Sequence, residues 1–196
     1  MILRYNKIRK QDIANGPGLR CSVFFQGCEH HCPNCFNPET WDPEGGKPFT
    51  QKEIDLIIDI MKNPHIKGLN LLGGDPLFGP CNDIRCCEQM YIFLKQIKDA
   101  YPEKSIWVWT GYIFENFLNS YKEIQKQEFN IPIDIIVFSL AQTRSFMEYI
   151  DVLIDGPFIE SEKDFKLKYM GSRNQRVIDV QKSLYKDKVI LYEYEE

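Results

Sequence analysis

The chain has 196 residues, of which 43% are hydrophobic and 27% are charged, and its formal net charge is −4. This composition is typical of one globular domain with a substantial core, and the length is too short for two ordinary large domains. The negative charge disfavours a nucleic-acid-binding surface. The first ten residues lack the apolar segment of a secretory signal, and no apolar run reaches the roughly 18 residues of a membrane span. We therefore expect a single-domain cytoplasmic protein with neither nucleic acid nor membrane as its partner.

The first predicted elements are a strand and a helix. Apolar and β-prone residues predict a buried strand at 19–26, preceded by the turn residues Asn-Gly-Pro-Gly at 15–18. Thr50 and Glu53 form a capping box, in which each side chain satisfies a free amide at a helix start. The residues that follow at the spacing of one helical face are Ile54, Ile57, Ile58 and Met61, which predicts a helix there.

The rest of the pattern alternates strands with helices. A short strand at 68–72 runs into Gly73-Gly74-Asp75-Pro76. The further predicted elements are a helix at 83–100, a strand at 105–110, a helix around 114–121, a strand at 133–138, a short helix at 143–149, a strand at 151–155 and two closing strands at 176–180 and 189–194. Such alternation predicts an α/β fold whose parallel strands are joined by right-handed crossovers.

Loops with glycine or polar residues follow four of the predicted strands. They are the cysteine loop at 28–35, the Gly-Gly loop at 73–76, Thr-Gly-Tyr at 110–112 and Asp-Gly at 155–156. In folds with parallel strands, the active site gathers at the carboxyl ends of the strands. The sequence therefore predicts that these four loops meet on one rim and form a single site.

Three cysteines in the first of these loops, Cys28, Cys32 and Cys35, have the spacing C-x3-C-x2-C. Every iron of a four-iron cluster needs a ligand, so three thiolates leave one iron open to another molecule. A zinc site is the alternative, because His30 and His31 lie in the same segment. Zinc sites usually join two ligand pairs, and the second pair is missing from this sequence. The spacing therefore favours an open iron–sulfur site, with both histidines expected in solvent.

The other four cysteines do not follow a cluster spacing. Cys21 lies in the first predicted strand and Cys87 on the apolar face of the 83–100 helix, so both are expected in the core. For Cys81 and Cys86 the sequence leaves open whether they have a redox role. The odd total of seven cysteines favours a reducing compartment over a disulfide framework.

With the cysteine loop after the first strand and Gly73-Gly74-Asp75-Pro76 after the second, the chain resembles the radical S-adenosylmethionine enzymes. That family has a C-x3-C-x2-C loop and a Gly-Gly-Glu-Pro-like loop at these places. The resemblance implies an incomplete (β/α) barrel, a 4Fe-4S cluster on the three cysteines and S-adenosyl-L-methionine bound at the open iron. The reduced cluster would cleave S-adenosylmethionine to methionine and a 5′-deoxyadenosyl radical.

Further segments match one branch of that superfamily. They are 15–21, 27–37, 40–41, 73–77, 107–112, 151–156 and Gly-Ser-Arg-Asn-Gln-Arg at 171–176. In these segments the chain resembles the activating proteins of anaerobic ribonucleoside-triphosphate reductase. The resemblance implies that the radical removes a hydrogen from a glycine of the reductase, with flavodoxin or a similar carrier as the electron donor.

The resemblance also implies a set of residues that bind the cofactor: Asn34, Cys35, Phe36, Gly73, Gly74 and Asp75. Most radical S-adenosylmethionine enzymes have an aromatic residue just before the third cysteine, whereas this chain has Asn34 there and Phe36 after the cysteine. Asp75 replaces the commoner Glu. Residues 119–150 are longer than the matching connection in the family, which predicts an insertion to which no role is assigned.

Other functions stay open at this point. The cluster could activate a different glycyl-radical enzyme such as pyruvate formate-lyase, although Trp-Thr-Gly-Tyr at 109–112 and Gly-Ser-Arg-Asn-Gln at 171–175 favour the reductase. It could serve a small-molecule radical S-adenosylmethionine synthase, for which the sequence offers no substrate motif. A non-enzymatic metal-binding module is the least favoured alternative.

Overall fold

The computed structural model describes residues 1–118 and 146–194, and the strands within them form one open sheet. In chain order they are β1 (Arg4–Asp12), β2 (Leu19–Phe25), β3 (Lys47–Pro48), β4 (Ile66–Gly73), β5 (Ser105–Trp109), β6 (Val152–Asp155) and β7 (Arg176–Asp179). Their order across the sheet is β3-β1-β2-β4-β5-β6-β7. The neighbours from β2 to β6 pair parallel, whereas the β1–β2, β1–β3 and β6–β7 pairs are antiparallel. The predicted α/β class with a parallel centre is confirmed.

The helices are α1 (Gln51–Met61), α2 (Phe78–Asn82), α3 (Ile84–Ala100) and α4 (Val180–Lys186), and residues 114–118 are also helical. The predicted capping box begins α1, where the Thr50 N–H donates to Glu53 Oε2 at 2.8 Å. Asp83 caps α3 by accepting a hydrogen bond from the Arg85 N–H at 2.9 Å. These side chains satisfy amides that have no partner within the helix, which fixes where each helix begins.

The main core lies between one face of the sheet and helices α1 and α3. Because side chains alternate along a strand, Cys21, Val23 and Phe25 of β2 all face this core, and each is at most 1% exposed. Ile57 of α1 and Cys87 of α3 are buried against them. Each fully buried large apolar side chain contributes about 1.5–3 kcal/mol to stability. Cys21 and Cys87 thus have the core positions that the sequence predicts.

The opposite face of the sheet has a buried polar network beside an aromatic cluster. Arg20 is fully buried, and its guanidinium donates to Asn70 Oδ1 and, at 2.8 Å, to the Ser105 carbonyl. Desolvation at this position lowers the pKa of Arg20 to about 10. Next to it, the rings of Trp107 and Tyr192 stack edge to face 5.3 Å apart. These contacts join β2, β4 and β5 below the cavity that their carboxyl ends surround.

The sheet edges differ from the sequence prediction. The prediction that strands and helices alternate strictly is wrong at both edges of the sheet. The sequence did not predict β1 at one edge or the antiparallel pairing of β7 at the other. The closing strand predicted at 189–194 is wrong as well, because only Leu191 makes an isolated bridge there. Before it lies α4, which Asp179 caps by accepting from the Lys182 N–H. Asp187, with a left-handed backbone (φ 52°), ends α4 and turns the chain back along β7.

Some sequence predictions fall outside the described residues. They are the strand at 133–138, the first three residues of the short helix at 143–149 and most of the insertion at 119–150. The prediction of a single domain over 1–196 stays a prediction. Within residues 1–118 and 146–194, no helix has the length and hydropathy needed to cross a membrane.

Candidate functional site

A cavity of about 600 Å³ opens at the carboxyl ends of the parallel strands. All four loops that were predicted to meet there contribute to its lining. The lining residues from these loops are Cys28, His30, Cys32 and Cys35 after β2, Gly73, Gly74 and Asp75 at the end of β4 and after it, Thr110 and Gly111 after β5, and Gly156 after β6. The prediction that the four loops form one rim is confirmed.

Backbone hydrogen bonds hold the cysteine loop against its neighbours. The Gly27 N–H donates to the Thr40 carbonyl at 2.8 Å, and the Cys28 N–H donates to the Trp41 carbonyl at 3.1 Å. From the other side, the Asp75 N–H donates to the Gly27 carbonyl at 2.8 Å. Two other segments, residues 40–41 and the loop after β4, therefore fix the start of the cysteine loop.

The cysteine sulfurs accept hydrogen bonds from backbone amides. The Asn37 N–H donates to Cys35 Sγ at 3.4 Å, the backbone of His30 donates to Cys28 and that of Phe158 to Cys32. Burial nevertheless raises the pKa of Cys28 to about 11, so an iron ion that binds this sulfur must displace a proton. Hydrogen bonds to cluster sulfurs are one of the means by which a protein sets the reduction potential.

The three cysteines share the cavity without forming a site for one ion. In the part of the chain that the structure describes, no three His, Cys, Asp or Glu side chains are grouped so that they could hold a single metal ion. The donor set is one of soft thiolates, which suits iron–sulfur clusters. Cys28, Cys32 and Cys35 are each partly exposed toward a cavity much larger than a single ion.

Gly73 and Gly74 allow a close approach between the loops themselves. Gly73 has a left-handed backbone (φ 119°), which glycine adopts without strain. A Cβ at Gly74 would lie 2.5 Å from the Gly27 carbonyl oxygen and 2.6 Å from that of Thr40. A side chain at Gly74 would therefore push the cysteine loop away as well as enter the cavity.

Asp75 connects the loops after β4 and β5. Its side chain is 2% exposed, and its oxygens accept hydrogen bonds from the Thr110 hydroxyl at 2.9 Å, the Gly111 N–H at 2.8 Å and the Leu77 N–H at 2.9 Å. The sequence predicted a residue that binds the cofactor. The structure places Asp75 in the cavity lining, with its carboxylate held by groups of the protein.

His30 is not in solvent, and the prediction for it is wrong. Its Nε2 lies 3.2 Å from Asp75 Oδ2, and its ring contacts that of Tyr112 at 4.8 Å. The neighbouring carboxylate of Asp75 raises the pKa of His30. A Cβ at Gly111 would lie 2.3 Å from the ring, so this packing requires glycine there. His31, in contrast, is exposed as predicted.

The two residues around the third cysteine lie in different surroundings. Phe36 lines the cavity, is 64% exposed and contacts the ring of Phe158 at 5.6 Å. Asn34 is exposed and does not line the cavity. Its backbone is left-handed (φ 58°), a conformation in which Asn is enriched, and this accounts for its presence in the loop.

Sequence reasoning missed the far wall of the cavity, which residues 158–173 form. We call this segment the flap. Gln175 at its base accepts from the Gly171 N–H at 2.8 Å and donates to the Gly156 carbonyl at 2.9 Å. Asn174 donates to the Pro157 carbonyl at 2.7 Å. The Gly-Ser-Arg-Asn-Gln segment thus attaches the flap to the loop after β6, a role that its spacing in sequence did not reveal.

A short loop of three cysteines at the mouth of an α/β sheet defines a class of protein that holds one iron–sulfur cluster. In agreement with this, a family model described as a 4Fe-4S single cluster domain matches residues 14–178. Curated relatives identify the particular family. The anaerobic ribonucleoside-triphosphate reductase-activating protein of Escherichia coli is 36% identical over 177 residues, which cover 89% of this chain and 97% of the relative.

Two other relatives of the same name agree with this assignment. That of Haemophilus influenzae is 37% identical and that of Vibrio cholerae 34% identical, each over 175 residues that cover 88% of this chain and 96% of the relative. The chain belongs to the family of anaerobic ribonucleoside-triphosphate reductase-activating proteins. The resemblance drawn from the sequence motifs is confirmed.

Proposed function

We propose that this protein is a radical S-adenosylmethionine enzyme that activates an anaerobic ribonucleoside-triphosphate reductase by generating a glycyl radical on it. The observation that carries the proposal is the meeting of the cysteine loop, the Gly-Gly loop and Thr110-Gly111 around one cavity. The names of the relatives support the choice of the reductase as the protein substrate.

The donor set fits a cluster with one open iron. Among the described residues that line the cavity, the cysteines are Cys28, Cys32 and Cys35. Cys86 and Cys87 are buried in the core, away from this lining. Three thiolates complete three irons of a cubane and leave the fourth for S-adenosyl-L-methionine. When bound, the cluster supplies the electron that breaks a carbon–sulfur bond of S-adenosylmethionine.

The residues of this chain have distinct tasks in the proposal. Gly73 and Gly74 place backbone groups at the cavity, where they can hydrogen-bond the amino acid part of S-adenosylmethionine. Phe36 offers an exposed ring to the adenine, and Asn34 shapes the loop between the second and third cysteines. Asp75 keeps the loops after β4 and β5 in register, so that binding groups from both strands stay in place.

The fold suits a protein substrate. The parallel strands β2, β4, β5 and β6 in an open sheet are compatible with the incomplete (β/α) barrel of radical S-adenosylmethionine enzymes, and we include that fold in the proposal. An incomplete barrel leaves a side through which a polypeptide segment can reach the cavity. Flavodoxin or a similar cytoplasmic carrier completes the proposal as the electron donor.

Electron paramagnetic resonance tests the proposal. The anaerobically reconstituted and reduced protein is mixed with S-adenosylmethionine and the reductase, and 5′-deoxyadenosine is measured in the same sample, with Cys32→Ala protein as the control. A glycyl-radical doublet on the reductase is expected only with the wild-type protein. Deoxyadenosine without the doublet would remove the reductase as substrate and favour another glycyl-radical enzyme or a small molecule. If a protein with a full cluster gave neither the doublet nor deoxyadenosine, the proposal would be overturned.

A further inference from the structure

Two highly exposed phenylalanines stand at the mouth of the cavity. Phe165 in the flap is 87% exposed and Phe36 in the cysteine loop is 64% exposed, and both line the cavity. Lys163 lies between them, with its Nζ 5.3 Å from the centre of the Phe165 ring and 5.2 Å from that of Phe36. We call these three side chains the aromatic rim.

We propose that Phe165 and Lys163 of the aromatic rim bind the glycine-bearing segment of the reductase and hold it over the cavity, beside the Phe36 ring assigned to the adenine. This inference rests on the proposed function, because it names where that protein substrate docks. Isolated apolar residues on a protein surface are ordinary, but here they cluster beside the groups assigned to the chemistry. A polypeptide segment whose glycine enters the cavity must pass this mouth.

The flap presents the rim on a supported base. The Arg173 N–H donates to the Glu162 carbonyl at 2.9 Å, and the Arg173 guanidinium contacts Asp164 at 3.0 Å, so the two arms of the flap are joined. Near the tip, the Trp109 indole N–H donates to the Tyr169 carbonyl at 2.8 Å, which ties the flap to the end of β5. Phe165 takes no part in these contacts, so we expect the flap to keep its shape when the ring is removed.

The charges at the mouth indicate the chemistry of the segment. The protein has a net charge of −4, yet the lining carries Lys163 and Arg9. The carboxylates in the lining already have partners: Asp164 contacts Arg173, and Asp75 accepts hydrogen bonds from Thr110 and Gly111. Glu160 lies 3.5 Å from Lys163 Nζ and leaves other donor positions of the ammonium available. We expect an extended segment in which an apolar side chain next to the glycine packs against Phe165. A carboxylate or carbonyl oxygens of the same segment should accept hydrogen bonds from Lys163.

The test compares Phe165→Ser with Tyr185→Ser. Tyr185 on α4 is a matched control, since it is 84% exposed, lies 5.2 Å from the Nζ of a lysine and does not line the cavity. Binding of the reductase to each protein is measured by isothermal titration calorimetry, and the reductase concentration that gives half of the maximal glycyl radical is measured separately. Phe165→Ser should weaken binding and raise that concentration by about tenfold, and Tyr185→Ser should change neither.

Further measurements separate this inference from its alternatives. Cleavage of S-adenosylmethionine without the reductase should be equal in the two variants, and Phe165→Leu should restore most of the affinity. Equal affinities of Phe165→Ser and wild type would overturn the inference, and so would a loss of cleavage without the reductase, because the ring would then serve the cofactor. A wild-type protein that binds the reductase but forms no glycyl radical would contradict the proposed function, while the binding comparison would still test the rim.

Discussion

The cysteine side and the flap side of the cavity are held by different kinds of contact. On the cysteine side, backbone bonds join the loops after β2 and β4, and the Asp75 side chain next to them is 2% exposed. On the flap side, polar side chains of Asn174 and Gln175 attach the flap, and Arg173, 69% exposed, joins its arms. Exposed polar contacts open at a lower free-energy cost than buried ones. The cysteine side is therefore the more rigid one, and the side proposed to meet the reductase can adjust.

Removing Cys32, one of the proposed cluster ligands, should have the largest effect, and only on the cysteine side. Cys32→Ala should lower the iron and sulfide content of the reconstituted protein and reduce S-adenosylmethionine cleavage by more than about 100-fold, because an iron loses its thiolate. Cys21→Ala is the control. Because Cys21 is fully buried in the core, its substitution should leave the cluster in place. Iron analysis and a deoxyadenosine assay provide the measurement. Full activity of Cys32→Ala would contradict the assignment of the ligands.

Removing one carboxylate from each side should show the difference in rigidity. Asp75→Ala leaves the Thr110 hydroxyl and the Gly111 N–H buried without their acceptor, which should lower the free energy of unfolding by about 3 kcal/mol. Asp164→Ala removes the contacts with Arg173 and with the Lys166 N–H, both at the surface, and should have a much smaller effect. Urea denaturation of the two proteins without cluster gives both values. Similar losses would show that the two sides are equally rigid.

Sequence reasoning found the features of the cysteine side that depend on neighbours in the chain. The cysteine loop comes after β2 and the two glycines lie at the end of β4, and the carboxyl ends of parallel strands meet at one edge. The contact between His30 and Asp75 could not be found in this way, because it joins loops from different strands and no local pattern marks it. The loop position of His30 favoured solvent, and the packing against Gly111 decided otherwise.

In the C-terminal part, at 176–194, prediction from sequence failed for a different reason. The β-prone residues at 189–194 predicted a strand, but along the outer edge of β7 this segment makes one isolated bridge and scattered backbone bonds and does not form a strand. Asp179 offered the signal of a helix start that the prediction missed, since Asp is a preferred capping residue. Local β-propensity is a weak predictor where the pairing partner is undetermined. The antiparallel β1 was missed for the same reason.

Adding a methyl group at a glycine on each side should separate a steric effect from a backbone effect. Gly111→Ala places a Cβ in contact with the His30 ring, which Asp75 and Tyr112 hold in place, and should cost about 1–3 kcal/mol. Gly156→Ala meets no close atom but has a left-handed backbone (φ 97°), and it should cost about 1 kcal/mol. Thermal unfolding provides the comparison.

A second change identifies the cause in each case. Combining Gly111→Ala with His30→Ala removes the ring that the new methyl group would meet, so the two losses should be less than additive. The same His30→Ala change should be additive with Gly156→Ala, because a Cβ at Gly156 has no contact with the histidine. Additivity in both pairs would show that His30 is not held in the position between Asp75 and Tyr112.

The smallest expected effect is a pH dependence of stability on the flap side. Glu115 accepts hydrogen bonds from Arg176 at 2.6 and 2.7 Å, and this contact lowers the pKa of Glu115 below its ordinary value of 4.5. A lowered pKa in the folded state means that the contribution to stability is present above pH 4.5 and is lost as the pH falls through the lowered value. Since the Glu115 side chain is 40% exposed, the contribution should stay below about 1 kcal/mol.

Glu115→Gln should flatten the dependence of unfolding free energy on pH below 4.5 and leave the iron content unchanged. The measurement is urea denaturation of wild type and variant at several values from pH 6 downwards. Because part of the ion pair is exposed to solvent, 1 M salt should reduce the difference between the two proteins. Identical pH curves at low salt would mean that Arg176 stabilises the base of the flap through Asp155 alone, its other carboxylate partner.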